Sequence, residues 1–214
     1  MRCALSVLAL LALATTPAPA AEPRELFDGH DFAGWEFTTS PATAIGTVCT
    51  VRADGVIAAA GAPVGYIATT ATYANYRLHV EWRWPGKPGR NGGVLVHISS
   101  GPKDRAWPLS FQVQTKDQFA GDLLPMAGAT FAEPLTSAPG AATPIKARTA
   151  PGSEKPVGEW NTADITCRGD TIEVTVNGVV QNRVTGCSLH GGKIGFQFEG
   201  AAFELRHITL VGLD

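Results

Sequence analysis

The sequence predicts an all-β fold of short antiparallel strands, on three observations. Apolar and polar residues alternate with period two, glycine-rich turn signals separate the alternating stretches, and no stretch sustains a helical period. Residues 77–84 (RLHVEWRW) set the pattern. Leu78, Val80, Trp82 and Trp84 fall on one face, and Arg77, His79, Glu81 and Arg83 on the other, which marks a strand with one buried face and makes both tryptophans core residues. The pattern recurs over residues 93–98 (GVLVHI), 111–115 (FQVQT), 163–167 (ADITC), 171–176 (TIEVTV), 179–184 (VVQNRV), 193–199 (KIGFQFE) and 203–211 (FELRHITLV). Arg168-Gly169-Asp170, Asn177-Gly178 and Gly191-Gly192 punctuate it, and Asn-Gly between two alternating stretches is a strong hairpin signal. Strands this short and this closely spaced read as a sandwich or a barrel. Residues 73–76 are the one place where a helical turn is expected.

The first twenty residues read as an address. Met1 and Arg2 precede a compact apolar run over residues 4–14, and Thr15-Thr16-Pro17-Ala18-Pro19-Ala20 ends in a small-x-small pattern. This is the layout of a secretory signal peptide cleaved after Ala20, with a run too short to span a bilayer. The expected product is exported, periplasmic or secreted, with no membrane anchor, and residues 21–214 form one domain. Export places Cys49, Cys167 and Cys187 in an oxidising compartment. Cys167 closes one predicted strand and Cys187 follows the next hairpin, so these two are the favoured disulfide. A bridge closing a loop of about 20 residues contributes about 3 kcal/mol in the chain-entropy model. The alternative is three unpaired buried thiols.

Composition narrows the function classes. The 214 residues are 44% hydrophobic and 17% charged, enough for a core, and 17 Lys+Arg against 19 Asp+Glu give a formal charge of −2. Without a basic excess or a Lys/Arg run, nucleic acid is excluded as a partner. Residues 116–158 break the rhythm, rich in Ala, Gly, Pro and Thr, and a connection that long inside a domain is a functional lid or a disordered segment. Its first half is apolar enough to line a site, whereas its second half reads as a solvent-exposed excursion.

Candidate site residues come from what the alternation leaves on one face. His97 shares a face with Leu95 and Gly93. Gln112 and Gln114 lie opposite Phe111 and Val113, and Gln197 and Glu199 lie opposite Phe196 and Phe198. An ordinary solvent face carries Lys, Glu, Thr and Ser; amide, imidazole and carboxylate groups beside glycines suit the hydroxyls of a sugar. Trp107 and Trp160, at loop–strand junctions, offer an apolar wall to a sugar ring. Asn91, in Asn91-Gly92-Gly93, reads either as part of a turn entering a strand or as an amide that orients a site residue. Arg206 reads either as an oxygen-binding cation or as the structural partner of a carboxylate, and Trp35 as a packing anchor.

Several short motifs occur in order along nearly the whole chain. Leu26-Phe27-Asp28-Gly29 with Gly34-Trp35, Asn91-Gly92-Gly93-Val94, and Trp107-Pro108 leading to Gln112-Val113-Gln114 are followed by Gly158-Glu159-Trp160-Asn161 and Asn177-Gly178. Gly195-Phe196-Gln197-Phe198-Glu199-Gly200 and the segment 203–208 close the set. As a set they resemble the 3-keto-disaccharide hydrolase domain family. The resemblance implies a concanavalin A-like jelly roll, a two-sheet antiparallel β-sandwich. Gly92 stands in place of the family's Ser, Gln112 where many relatives carry Glu, and His207 where the last motif has Asn.

The resemblance also implies cleavage of glycosides already oxidised to a ketone at the 3-position. That ketone acidifies the proton on the neighbouring ring carbon, so a base can remove it and the aglycone leaves by elimination, with water added afterwards for net hydrolysis. Such a site needs a base, a group that polarises the ketone and a donor for the leaving oxygen. Glu199 or His97 is the candidate base. Lys116 or Arg206 is the candidate for polarising oxygen, with room for a divalent metal. Gln112, Gln114, Asn161 and Gln197 are assigned to hydroxyls. Two other readings stand: ordinary hydrolysis by two carboxylates, with Glu159 or Asp164 joining Glu199, and a non-catalytic, lectin-like carbohydrate-binding module.

Overall fold

Each alternating stretch forms a hydrogen-bonded strand in the computed structural model, which describes residues 22–86 and 90–214. Five short strands come first: β1 (Arg24–Glu25), β2 (Trp35–Thr39), β3 (Cys49–Val51), β4 (Ile57–Ala59) and β5 (Gly65–Thr69). The longer ones follow: β6 (Tyr76–Arg83), β7 (Gly93–Asp104), β8 (Trp107–Gln114), β9 (Leu123–Met126), β10 (Asn161–Arg168), β11 (Thr171–Val176), β12 (Val179–Val184), β13 (Lys193–Phe198) and β14 (Phe203–Gly212). The five N-terminal strands and β9 are too short, or too uniformly buried, to show alternation in the sequence. Among the described residues the only helix is a 3-10 turn at Ile45–Thr47, so none is long and apolar enough to cross a membrane. Residues 73–76 form no helical turn. Tyr73 instead makes an isolated bridge to Gly192, whose carbonyl accepts its N–H.

Two antiparallel sheets result. One has eight strands, in the order β12-β11-β10-β6-β14-β4-β3, with β1 on β14; the other has six, in the order β2-β5-β13-β7-β8-β9. Their inner faces share one core. Leu78, Val80, Trp82, Ile165 and Val174 come from the larger sheet, and Val94, Val96, Phe111, Val113, Phe196 and Phe198 from the smaller. Trp82 and Trp84 are both in it, as parity requires, and Trp35 packs there with its indole N–H donated to the Leu26 carbonyl at 3.0 Å. Burying each such side chain stabilises the fold by about 1.5–3 kcal/mol. At the Asn177-Gly178 turn both residues have positive φ, 47° and 80°, as a type I′ hairpin requires.

Three expectations are corrected or relocated. Cys49, Cys167 and Cys187 are free and buried, so the expected Cys167–Cys187 bridge is not formed. Both Cys167 and Cys187 lie in the inter-sheet core, and burial pushes both thiols up to about 12. The 116–158 connection is not irregular throughout: it contributes β9 to the smaller sheet, and Lys146 bridges back to Leu123. The expected signal segment, residues 1–20, lies outside the described residues.

Candidate functional site

The outer face of the six-stranded sheet holds a pocket of about 480 Å³. Its floor is set by strand register. Gly93 on β7 lies opposite Gln114 on β8, and on the other side Phe196 pairs with Val94, which brings Gln197 of β13 beside Gly93. Gln112 pairs with Leu95 and Leu124 and leans over Gly93. A Cβ at residue 93 would meet the Gln112 Cγ at 2.6 Å, so only glycine seats this amide. Gln112 Nε2 donates to Gln114 Oε1 at 2.9 Å. The three glutamines are nearly inaccessible, yet the carbonyl oxygens of Gln112 and Gln197 have no hydrogen-bond partner in the protein. Buried amide oxygens without partners cost about 1–3 kcal/mol each unless a ligand supplies the donor.

Glu199 stands at the end of β13 on the rim of this floor. Burial raises its carboxyl above the ordinary value, and this outweighs the opposing charges of Lys116 and Arg105 and a hydrogen bond from Asn91. Asn91 lines the pocket with it. Trp107 forms an apolar wall, packed among Leu124, Met126 and Ile145. The rest of the wall is Pro125, Ala127 and Gly128 after β9, and Ala142, Thr143 and Pro144 from the second half of the long connection. Residues 138–143 are solvent-exposed, as expected of that half, yet Ala142, Thr143 and Pro144 also edge the site. Sequence reasoning also missed Asp104 and Arg105 at the tip of the β7–β8 hairpin, both of which reach the pocket. Residues 99–106 lack alternation, so nothing marked them as a strand end aimed at the site.

The pocket thus gathers Asn91, Trp107, Gln112, Gln114, Gln197 and Glu199 from six separated positions of the sequence. Lys116 does not line it. Its ammonium lies over the Phe119 ring at 4.9 Å and acts on Glu199 only through its charge.

Four predicted site residues lie elsewhere. His97 faces the inter-sheet core. Between Leu95–Gly195 and Ile98–Lys193 strand β7 has one residue more than β13, a bulge, and His97 takes φ 55° there. The bulge reverses parity, so Ile98 faces outward with Leu95 while His97 packs edge-on to Tyr76 and Phe111. Its Nδ1 is 2.9 Å from the Leu189 carbonyl, and burial lowers its pKa, so it is neutral at pH 7 and out of reach of the pocket. Arg206 belongs to the opposite sheet, bound to Glu81 at 2.6 Å. Trp160 lies on that face too, between Arg206 and Arg83 at 4.1 and 4.6 Å from its ring centroid. Asn161 is buried, its Oδ1 accepting from the Lys155 N–H and from Asn177 Nδ2, which pins the long connection. Of the carboxylates weighed as partners of Glu199, Asp164 pairs with His79 at 2.8 Å on the larger sheet, and Glu159 is not in the pocket.

Gly92 also has a local reason. A Cβ there would meet Trp84 Cη2 at 2.9 Å, so the serine of the related motif has no room while Trp84 fills that space and donates its indole N–H to the Thr115 carbonyl. As to a metal, no group of three or more His, Cys, Asp or Glu converges to hold one among the described residues. The pocket's oxygen donors are the Glu199 and Asp104 carboxylates and neutral amides, the ligand chemistry of a hard cation rather than of a His/Cys transition-metal centre.

The fold is that of the concanavalin A-like and galectin-like sandwiches. Solved structures agree. A protein assigned to the glycosyl hydrolases from Parabacteroides distasonis ATCC 8503 superposes with a TM-score of 0.65 over 90% of this chain and 94% of that one, at 21% identity. The Bacillus licheniformis β-glucanase gives 0.58 over 92% and 100% at 11% identity, and a carbohydrate-binding module from Bacillus subtilis 0.58 over 84% and 96% at 10% identity. Likeness at these identities shows the fold. The family is shown by sequence: residues 22–211 match the profile of the 3-keto-alpha-glucoside-1,2-lyase-like domain, and the chain belongs to that family of carbohydrate-active domains. Among curated proteins no sequence matches the chain.

Proposed function

We propose that this protein is exported and cleaves 3-keto-glycosides, with Glu199 as the base. One observation carries the reading: a half-buried carboxylate, its pKa raised, on the rim of a pocket floored by three buried glutamines, two of whose amide oxygens have no partner in the protein. The glutamine and Asn91 amides bind the ring hydroxyls, and their N–H groups together with Arg105 polarise the 3-keto oxygen. Glu199 takes the proton from the carbon between the ketone and the anomeric centre. The C–H pair becomes the new ring double bond, the anomeric C–O bond breaks, and the proton passes from Glu199 to the departing oxygen. Water added to the double bond then completes net hydrolysis. A raised pKa makes the ionised carboxylate a stronger base.

The test is release of chromophore from a 3-keto-glycoside by the purified protein and by Glu199→Gln, beside the unoxidised glycoside. Release from the keto substrate alone, lowered by about 10²–10⁴ in the variant, is expected. Equal release by the variant rejects Glu199 as the base. A binding-only reading is favoured by one feature, the neutral Gln112 at the centre of the floor. Saturable sugar binding by calorimetry without any release establishes it instead.

A further inference from the structure

The opposite side of the sandwich carries a second polar hollow that the proposed chemistry does not use. It lies on the outer face of the eight-stranded sheet, has a volume of about 350 Å³, and is lined by Arg77, Thr166, Arg168, Thr171, Glu173 and Arg183, with Leu213 at its edge. The register aligns these residues. Arg77 of β6 pairs with Thr166 of β10, Thr166 with Glu173 of β11, and Glu173 with Arg183 of β12; Arg168 pairs with Thr171 one row away. All three arginines are exposed; Arg77 and Arg183 point outward between buried neighbours, and Arg168 ends its strand after buried Cys167. Arg77 and Arg183 are three strand spacings apart, about 14 Å, so their long side chains can meet over Thr166 from either side.

What distinguishes these three is their lack of partners. Among the described residues, Arg52 and Arg83 bind Glu204, Arg206 binds Glu81, Arg148 approaches Asp122 and Arg105 approaches Asp104. Arg24 covers the Tyr73 ring, and Arg90 is engaged as well. Among the described arginines, only the guanidinium groups of Arg77, Arg168 and Arg183 make no ion pair, hydrogen bond or ring contact, and all three line this hollow. Like charges on neighbouring strands oppose sheet formation. Glu173 offsets one of them, which leaves an excess of two positive charges on a chain whose net charge is −2. Three guanidinium forks together with the Thr166 and Thr171 hydroxyls supply more donors than the two oxygens of a carboxylate can accept, whereas a tetrahedral oxyanion offers three or four.

We propose that this hollow binds a tetrahedral oxyanion of the phosphate or sulfate type, free or esterified to a sugar. Titration calorimetry of the full chain at constant ionic strength, with inorganic phosphate, inorganic sulfate, glucose 6-phosphate and acetate, tests it. Saturable heat is expected with the tetrahedral anions and none with acetate. Arg77→Ala, Arg168→Ala and Arg183→Ala each weaken binding at least tenfold, and the triple variant abolishes it. Glucose 6-phosphate binding more tightly than phosphate identifies the sugar ester as the ligand, and equal affinities identify the free anion. Glu173→Gln provides a control that loss of structure cannot mimic, because removing its charge tightens binding severalfold. Glu199→Gln leaves oxyanion binding unchanged, so failure of the glycoside chemistry and failure of this site are separable. The proposal is overturned by acetate binding as well as phosphate, by an unaltered triple variant, by no tightening in Glu173→Gln, or by heat that follows ionic strength alone.

Discussion

Glu199 and His97 show how one residue's surroundings decide its role. Both are ionisable and both come from alternating stretches, but Glu199 is held at a pocket and His97 is folded into the core by a single extra residue in β7. The raised pKa of Glu199 sets the pH dependence of catalysis. Its ionised form is the base, so the acid limb of kcat/KM lies above 4.5, the ordinary value for a glutamate, and is lost in Glu199→Gln; a limb at or below 4.5 argues against the assignment. For His97 the sign runs the other way. Its folded pKa lies below the ordinary 6.5, so it contributes stability above that value that is lost as pH falls toward the folded pKa. His97→Ala, which leaves a cavity between Tyr76 and Phe111, costs about 2–4 kcal/mol in chemical denaturation, while kcat of the folded fraction is unchanged. Gly93→Ala does the reverse. Its new methyl displaces the Gln112 amide into the pocket, so ligand affinity falls about tenfold or more, roughly one or two hydrogen bonds, with a much smaller change in Tm.

At the scale of elements, the long connection between β8 and β10 forms one wall of the site, and buried polar groups fasten it. Asn182 Nδ2 reaches the Lys146 carbonyl at 3.1 Å, Gln181 Nε2 the Ser153 hydroxyl at 2.9 Å, and Asn161 and Asn177 hold residues 153–155. Glu154 is the weak link. It is partly buried beside the backbone N–H groups of Gln118 and Ala120, one of its oxygens has no protein partner, and burial raises its pKa to about 7. A glutamate whose folded pKa is raised stabilises the protonated fold. Stability from this group is therefore full below 4.5 and falls as pH rises toward about 7. Glu154→Gln is expected to raise stability at pH 8 by about 1 kcal/mol, after allowance for solvent screening, with no gain at pH 4. Denaturant midpoints at the two pH values measure it, and an equal gain at both removes the titration from the explanation.

At the scale of the whole molecule, the sandwich separates two chemistries on its two outer faces. The six-stranded face has the amide-floored pocket with Glu199, Asp104, Arg105 and an apolar wall, and one ion pair between Lys193 and Glu36, whereas the eight-stranded face carries several ion pairs, the Trp160 ring between two guanidinium groups, and the three unpaired arginines. Trp160→Ala consequently leaves glycoside affinity and turnover unchanged and lowers stability by about 1–2 kcal/mol through lost cation–π contact. A loss of affinity in this variant would put the sugar on the wrong face.

Much of this was legible from period two alone. Alternation depends only on successive side chains pointing to opposite sides of a strand, so the sequence by itself determined the all-β fold, the later strands, the Asn177-Gly178 hairpin, the core tryptophans and the outward glutamines. Where alternation is absent, as in β1 to β5, in β9 and at the tip carrying Asp104 and Arg105, the sequence was silent. Where a bulge shifts parity, as at His97, it misled. Only the tertiary structure decided which polar faces share a side of the sandwich. Gln112, Gln197 and Glu199 meet because β13, β7 and β8 are neighbours, while Trp160, Asn161 and Arg206, no less polar in pattern, belong to strands of the other sheet. Strand order arises from long-range pairing, and a local pattern that says which way a side chain points carries no record of the strand beside it.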